Sequence, residues 1–317
     1  MAKTDPLSGK LITLLGGSGF LGNYVAQSLL GRGARLRIVS RTPDNSHKLK
    51  PLANLGQLQI GRCDISDERS LHAAIAGADA VVNLVGVFDG DLKAIMGRAA
   101  GKAAEIARDT GVSSFVHVSA IGADEESPAQ YGQAKALGEK LVADAFPNAT
   151  IIRPSVVFAS DDEFINMFAG LIQMAPVMPV FGPEAQMQPV FADDVAEAIA
   201  AALSSPAKHG GKIFELGGPE IMTMMEINQR IAGAQGRSPA LLPVPDFASS
   251  IFASLPLTPM SRDQWAMLQT GNAASGKHPG FKELGIAPKP LGLFLDKWMV
   301  QYRKHGRFGA DTRTSAS

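Results

Sequence analysis

The sequence predicts an α/β protein with a Rossmann-like, doubly wound parallel sheet and a small C-terminal lobe. In the first half of the chain, short apolar runs alternate with longer amphipathic stretches, a pattern typical of a parallel sheet covered by helices on both faces. After Ser155 proline becomes frequent and the alternation is lost, which indicates loops and short elements. We therefore assign 1–155 to the sheet domain, with 188–220 returning to it, and 156–187 and 221–317 to the lobe.

Six apolar runs predict the strands. The first, Lys10–Leu15, is followed by a stretch that has Val25, Leu29 and Leu30 at helical spacing. The other five runs are Arg35–Ser40, Gln57–Asp64, Ala80–Gly86, Ser114–Ala120 and Thr150–Ser155. The clearest helical patterns cover 67–77, 96–111, 193–205 and 223–236.

Composition narrows the class of protein. A chain of 317 residues with 45% apolar residues can bury a large core. Its 30 basic and 30 acidic residues balance, so no basic excess suggests nucleic acid as a partner. Cys63 is the single cysteine and the six histidines lack metal-ligand spacing, which excludes a disulfide framework and gives no reason to expect a metal. Without a signal-peptide pattern or about 18 consecutive apolar residues, we expect a soluble, cytoplasmic chain.

The stretch LGGSGFLG lies between the first strand and the first helix. Gly16, Gly19 and Gly22 form G-x-x-G-x-x-G, and Gly17 with the last two also satisfies G-x-G-x-x-G. Each glycine removes a Cβ where the backbone turns, approaches a phosphate or packs closely. The spacing therefore predicts a pyrophosphate site at the N-terminus of the helix. The predicted dinucleotide-binding residues of this loop are Gly16, Gly17, Ser18, Gly19, Phe20, Leu21 and Gly22.

The end of the second strand bears on which dinucleotide binds. NAD sites commonly carry Asp or Glu there, about 20 residues after the glycines. This chain has Ser40 and Arg41 instead, and Asp44 lies too far into the loop. The planar cation of Arg41 suits a ribose 2′-phosphate, which favours NADP(H) over NAD(H). The alternative is a solvated arginine at a strand end.

Two later strand ends complete the predicted cofactor edge. Asp64 and Ile65 close the third strand and are candidates for the adenine edge. Asp64 is equally a candidate cap for a helix that begins near Ser66. The fourth strand ends in three further candidates, Leu84, Val85 and Gly86. The glycine among them leaves space for the cofactor.

Ser119, Tyr131 and Lys135 are the candidate catalytic residues. Ser119 ends the fifth strand, and Tyr131 and Lys135 are four apart on one face of the next helix. An ammonium close to a phenol favours the phenolate, so we expect Lys135 to lower the pKa of Tyr131. The phenol would then exchange a proton with the substrate oxygen, to which Ser119 would donate a hydrogen bond.

These motifs resemble the short-chain dehydrogenases/reductases of the extended or atypical type. The resemblance rests on the glycine loop, on Ser119 with Tyr131 and Lys135, and on the segments RPSVVF and PVFADDVAEAI. Within that superfamily the chain most resembles the nucleotide-binding accessory subunits of respiratory complex I and their bacterial relatives. The segments that carry this likeness are Asp144–Ala169, Phe214–Thr223, Ser261–Asn272 and Phe281–Ile286.

The resemblance implies roles for particular residues. It puts the three spaced glycines at the pyrophosphate and Arg41 at the 2′-phosphate. It puts Lys135 at the nicotinamide ribose and Pro154 beside the nicotinamide. The chain also departs from the family pattern, because Leu15 replaces a threonine, Ala159 a glycine and Gly271 an aspartate. Ser119 is 12 residues before Tyr131, a shorter gap than in the extended enzymes.

Two functions stay open at this stage. In the first, the chain holds NADP(H) as a structural cofactor and serves respiratory complex I or its assembly, as a peripheral protein of the inner membrane. The apolar segment Pro245–Met260 and the basic tail Lys297–Arg313 are then candidate contacts with a partner or with anionic lipid. A solvated terminal helix and a frayed end explain the tail equally well. In the second, the chain is an NADPH-dependent oxidoreductase acting on an apolar carbonyl or alcohol, such as a quinone-pathway or isoprenoid compound.

Overall fold

The computed structural model describes residues 4–254 and 260–304. Its strands are β1 (Leu11–Leu15), β2 (Arg35–Ser40), β3 (Leu58–Arg62), β4 (Ala80–Asn83), β5 (Ser114–Val118), β6 (Thr150–Pro154), β7 (Val157–Phe158), β8 (Val177–Phe181), β9 (Gln186–Met187), β10 (Val190–Phe191), β11 (Ile213–Leu216), β12 (Met222–Thr223) and β13 (Ala240–Val244). All six strands predicted from the sequence are present, and each lies within its predicted run.

The α-helices are α1 (Phe20–Gly31), α2 (Glu68–Ile75), α3 (Ala99–Asp109), α4 (Gln130–Ala145), α5 (Glu163–Met174), α6 (Ala192–Ser204), α7 (Pro206–His209), α8 (Met224–Ala234), α9 (Asp246–Ser254), α10 (Arg262–Thr270), α11 (Phe281–Leu284) and α12 (Gly292–Trp298). Two 3₁₀ segments cover Pro43–Leu52 and Met299–Tyr302, and a π-helical turn, Lys93–Arg98, precedes α3. None of the described helices has the length and apolar character needed to cross a bilayer.

The predicted doubly wound sheet is confirmed. Seven parallel strands lie in the order β11-β6-β5-β4-β1-β2-β3. β1 pairs with β2 on one side and with β4 on the other, so the direction of winding reverses at β1. In open α/β sheets ligands bind beyond the carboxyl ends of the strands at such a reversal. The glycine-rich loop follows β1 directly and therefore lies at this edge.

The chain divides into two compact units. The first contains residues up to Pro154, Ala192–Leu216 and Ala274–Ala287, and the second contains Ser155–Phe191, Gly217–Ala273 and residues from Pro288 onward. The sequence analysis assigned 274–287 to the lobe, whereas this segment is part of the sheet unit. The N–H of Glu215, on β11, donates to the carbonyl of Pro279, and its carboxylate accepts from the N–H and Oγ of Ser275, both at 2.7 Å. Those bonds attach the segment to the edge strand.

The second unit has its own apolar core, built around four aromatic rings. Phe191 stacks on Phe294 at 4.3 Å, Phe294 stacks on Trp298 at 4.8 Å, and Phe158 packs against all three. Three two-stranded sheets, β7 with β10, β8 with β13 and β9 with β12, belong to this unit. Of the two segments proposed as partner contacts, Pro245–Met260 and Lys297–Arg313, residues 255–259 and 305–313 lie outside the described part of the chain.

Gly271 explains one departure from the family pattern. It caps α10 with φ of 74° and ψ of 176°, a backbone region that is almost restricted to glycine. A Cβ at this position would also lie 3.0 Å from the carbonyl oxygen of Gln186. An aspartate would therefore be strained here, and the aspartate suggested by the resemblance is not accommodated by this backbone.

Candidate functional site

The glycine loop forms the sharp turn between β1 and α1. Gly16 has φ of 74°, and a Cβ there would lie 3.1 Å from Val85 Cγ2 and 3.2 Å from Val85 N. Gly19 is the N-cap of α1; it provides no capping side chain, and the first turn has no acidic residue. The N–H groups and the positive end of the helix dipole are thus available to an anion, which is the property that a pyrophosphate site needs.

Gly22 and Gly17 serve close packing inside this turn. A Cβ on Gly22 would lie 2.5 Å from the carbonyl oxygen of Gly17 and 2.7 Å from its Cα. A Cβ on Gly17 would lie 2.7 Å from Leu14 Cβ and 3.0 Å from Ile38 Cγ2. Gly17 is itself buried and does not line the cleft described next. Its place in the structure is therefore beneath the loop, and the sequence pattern cannot distinguish that position from a contact with the ligand.

A cleft of about 380 Å³ opens at this edge of the sheet. It lies at the carboxyl ends of β1, β2, β3 and β4 and is bounded by the start of α1. Twelve of its lining residues are predicted cofactor residues: Gly16, Ser18, Gly19, Phe20, Leu21, Gly22, Arg41, Asp64, Ile65, Leu84, Val85 and Gly86. Of the predicted set, Gly17, Lys135 and Pro154 are not among the lining residues. The cleft is also lined by residues that were not predicted to bind the cofactor, among them Cys63 and Val87.

Arg41 stands at the rim of the cleft with an exposed side chain. Within residues 4–254 and 260–304 no carboxylate lies at salt-bridge distance from its guanidinium. The neighbouring Ser40 accepts a hydrogen bond from Ser18 Oγ at 2.7 Å, which ties the end of β2 to the glycine loop. The rim thus presents a free cation where many NAD sites present an acid.

The structure separates the two roles considered for Asp64. Its Oδ1 accepts from the N–H of Ser66 at 2.9 Å, but the N-cap of α2 is Asp67, which accepts from the N–H of Arg69. Asp64 therefore shapes the turn before the helix and does not cap it. It is exposed and lines the cleft. The adenine-edge role stays a prediction.

Ser119 carries an unsatisfied hydroxyl. It is 3% exposed, and its Oγ has no hydrogen-bond partner among the described residues. Its N–H donates to the carbonyl of Ile152 at 2.7 Å, so the residue is fixed at the end of β5. A buried hydroxyl without a partner carries a desolvation cost of about 1–3 kcal/mol. A ligand oxygen near it would remove that cost, which fits the role predicted for this serine.

Lys135 lies deep between the ends of β4 and β5. It is 2% exposed, and its Nζ donates to the carbonyls of Val118 at 3.0 Å and Val85 at 3.4 Å. Burial lowers the pKa of Lys135 to about 8, partly offset by Glu139 one turn along α4. A Cβ on Gly86 would lie 3.8 Å from this nitrogen, so the ammonium is immediately behind a residue that lines the cleft.

Tyr131 departs from the expectation of an activated phenol. Lys135 Nζ lies 5.7 Å from the centroid of the Tyr131 ring. Burial nevertheless raises the pKa of Tyr131 to about 12, so the expected direction of the shift is wrong in this structure. Phe88 stacks on the ring with centroids 5.0 Å apart and planes 16° apart. Because the ring is covered and the ammonium is engaged by main-chain carbonyls, desolvation outweighs the attraction of the positive charge.

Sequence reasoning missed two features around these residues. Phe88 lies on the loop after β4, and no motif marks it, although a large aromatic residue followed by DG in a loop is an available signal. Asn83 and His117 form a buried pair with Nδ2 and Nδ1 3.1 Å apart, and Asn83 Oδ1 accepts from the N–H of Val85. Burial and the nearby Lys135 lower the pKa of His117 to about 3, so this histidine is neutral. The pair fixes the backbone that holds Lys135.

Comparison with known proteins agrees with this geometry. A family model described as NAD(P)H-binding matches residues 16–206. The chain is 33% identical over 243 residues to NADH dehydrogenase (ubiquinone) 1 alpha subcomplex subunit 9, mitochondrial, of Dictyostelium discoideum, covering 75% of this chain and 67% of the relative. It is 30% identical over 325 residues to the protein of the same name in Arabidopsis thaliana, covering 96% and 81%.

An enzyme and a solved structure are also similar. The chain is 27% identical over 241 residues to a ceramide reductase of Caulobacter vibrioides, covering 74% of each chain. The crystal structure of a nucleoside-diphosphate-sugar epimerase from Staphylococcus aureus superposes with a TM-score of 0.71 at 17% identity, covering 90% of this chain and 99% of the epimerase. At that identity the likeness shows the fold alone.

Proposed function

The chain belongs to the NAD(P)H-binding family, and from that premise we propose that it holds NADP(H) as a structural cofactor and serves as an accessory subunit of respiratory complex I. A nicotinamide dinucleotide is the ligand of the family. The choice of NADP(H), its structural role and the partner are the parts that we add. Each rests on a separate feature of the site.

The rim of the cleft supports NADP(H) over NAD(H). Arg41 is exposed and lacks a carboxylate partner among the described residues, and Ser40 replaces the acid that would bind a ribose 2′-hydroxyl. A guanidinium offers two parallel donors to a phosphate group, whereas an acid at this position would repel it. The 2′-phosphate of NADP(H) is therefore the better match.

The covered phenol carries the proposal of a structural cofactor. The nicotinamide ring, when bound, supplies a hydride donor or acceptor. Turnover also needs a proton donor with a pKa near the working pH. Tyr131 has a pKa of about 12 and is stacked under Phe88, and Lys135 is held by two main-chain carbonyls. The residues of this chain thus bind and orient a dinucleotide better than they transfer a proton.

The proposed partner follows from the relatives. The Dictyostelium and Arabidopsis proteins are named as subunits of mitochondrial NADH dehydrogenase, and the second alignment covers 96% of this chain. A likeness that extends through both units favours a shared role over a shared nucleotide fold alone. We therefore place the chain at the surface of the respiratory enzyme, peripheral to the inner membrane.

The first test is purification of the full chain without added nucleotide. The bound compound is released by denaturation and identified by mass, and nicotinamide absorbance is then followed with a panel of quinones and apolar carbonyls. We expect stoichiometric NADPH that survives purification and is not consumed. Tyr131→Phe should retain the same amount, whereas Arg41→Ala should lose NADPH selectively. Recovery of the chain with complex I from its own membranes, by gentle solubilisation, tests the partner.

A second candidate function is supported by Ser119. An orphaned buried hydroxyl beside a Tyr-Lys pair is the arrangement by which a reductase binds a carbonyl oxygen, and the likeness to a ceramide reductase agrees with an apolar substrate. In that case the cofactor would exchange freely, and Tyr131→Phe would abolish turnover. Consumption of NADPH by the wild type, lost in Tyr131→Phe, would replace the first proposal with this one. Absence of any dinucleotide and of measurable affinity would overturn both.

A further inference from the structure

A second cavity lies in the sheet unit, away from the dinucleotide cleft. It has a volume of about 610 Å³ and is formed by α7, the start of β11 and the segment before α11. We call it the basic cavity. The side chains that give it chemical character are Lys208, His209, Lys212, Phe214, His278 and Glu283. The basic cavity lies at the amino end of β11, whereas the dinucleotide cleft lies at the carboxyl ends of the strands. The two share no lining residue.

His209 is the fixed element of the basic cavity. It is 4% exposed, and its ring packs edge-on against Phe214 with centroids 5.6 Å apart. Its backbone is held on both sides, since its N–H donates to the carbonyl of Ser205 and its carbonyl accepts from Thr150 Oγ1 at 3.2 Å. Its imidazole nitrogens have no hydrogen-bond partner within the described ranges. These nitrogens keep contact with solvent, so a ligand that enters the cavity can reach them.

The charges around this ring do not cancel. Burial lowers the pKa of His209, and repulsion by Lys208 and Lys212 lowers it further. Neither lysine forms a salt bridge with the residues that the structure describes. Glu283 is the one carboxylate on the cavity wall, and its Oε2 accepts from the N–H of Gly280 at 2.8 Å. Its carboxylate is therefore partly engaged in closing the turn before α11.

We propose that the basic cavity binds a phosphate-bearing anion, with Lys208, His209 and Lys212 as its ligands. A tetrahedral dianion could pair with both ammonium groups and accept a hydrogen bond from the imidazole N–H at the same time. No group in the described part of the chain makes these three interactions. The volume exceeds that of inorganic phosphate, so the phosphate can carry a substituent. Free phosphomonoesters and phospholipid headgroups share this chemistry, and the test separates them.

The test uses the full chain saturated with NADPH, so that the glycine loop does not take up the probe. Inorganic phosphate is titrated by calorimetry, and the ring signals of His209 are followed by NMR. We expect saturable binding that raises the pKa of His209, whose charged neighbours are Lys208, Lys212 and Glu283, with His278 also on the wall. Lys208→Gln/Lys212→Gln should weaken binding by about tenfold, the loss expected from two exposed ion pairs. Lys50→Gln/Lys140→Gln, which removes two exposed lysines elsewhere, should not.

Vesicles distinguish the source of the phosphate. Flotation is compared between phosphatidylcholine vesicles and the same vesicles with phosphatidic acid, which exposes a phosphomonoester. Capture by phosphatidic acid that is lost in Lys208→Gln/Lys212→Gln identifies a lipid headgroup, and phosphate binding without capture identifies a free ligand. No saturable phosphate binding, or binding that the double variant retains, would overturn the proposal. Tighter binding of a glutamate-rich peptide than of phosphate would also overturn it, in favour of an acidic protein face.

Discussion

Removing Phe88 should lower the pKa of Tyr131. The ring of Phe88 is 62% exposed but covers one face of the phenol, with the two centroids 5.0 Å apart. Tyr131 also packs against the apolar cluster of Leu92, Met96 and Ala134. In Phe88→Ala, water gains access to one face of the phenol, and the penalty on the phenolate falls.

The size of the effect follows from the shift itself. A pKa of about 12 against an ordinary value of 10.0 corresponds to a penalty of about 3 kcal/mol on the charged form. One of two ring faces is freed, so about half of this penalty should be recovered. We therefore expect the pKa of Tyr131 to fall by about one pH unit.

The assay is a pH titration of tyrosine labelled with ¹³C at Cζ. The chain has three tyrosines, so the spectrum has three signals and Tyr131→Phe assigns the one of interest. Phe247→Ala is the matched control, because Phe247 is 72% exposed and lies in the second unit. A wild-type Tyr131 that titrates near its ordinary pKa, or a Phe88→Ala variant that titrates like the wild type, would refute the argument that the stack keeps this phenol neutral.

Three further predictions address the loop, the rim and the buried charges. Gly22→Ala should reduce dinucleotide affinity about tenfold and the free energy of unfolding by about 1–3 kcal/mol, because the new Cβ would lie 2.5 Å from a backbone oxygen. Gly31→Ala is the control, since a Cβ there meets open space on the same helix, and it should change neither quantity. Affinity is measured by calorimetry and stability by urea unfolding. Arg41→Ala should weaken the affinity for NADPH about tenfold and change the affinity for NADH by less than about threefold. Equal losses of affinity for the two dinucleotides in fluorescence titrations would contradict the 2′-phosphate role. Glu139 forms a largely buried salt bridge with the guanidinium of Arg153, so Glu139→Gln should lower the free energy of unfolding in urea by about 3 kcal/mol. Glu105→Gln, which breaks an exposed pair with Lys102, should lower it by less than about 1 kcal/mol.

Local patterns were sufficient for the fold. The apolar runs at β1 to β6 are short, bounded by turn residues and separated by helical spacing, so six of the seven strands of the sheet followed from periodicity, whereas β11 was not predicted as a strand. The glycine loop was located by its spacing between a strand and a helix, and the family match agrees with a dinucleotide site there. These features depend on residues that are close in the sequence, so a single sequence is enough to predict them.

Features that depend on contacts between residues far apart in the sequence could not be predicted from local patterns. Asp64 and Asp67 both precede α2 at plausible capping positions, and only the backbone shows that Asp67 is the cap. The pKa of Tyr131 is raised by burial, to which residues distant in sequence contribute, so the spacing of Tyr131 and Lys135 alone gave the wrong direction. The attachment of 274–287 to β11 rests on hydrogen bonds to Glu215 that leave no periodic signal.

The interleaving of the two units has a consequence for synthesis on the ribosome. β11 is the last strand added to the central sheet, and the first segment of the second unit, Ser155–Phe191, is translated before it. The segment that pairs with its free edge comes later still, at 274–287. Nascent chains released before that segment emerges would expose an open strand edge, the surface that chaperones recognise and that promotes aggregation. Completion of the nucleotide-binding unit is thus delayed until nearly the whole chain has been made.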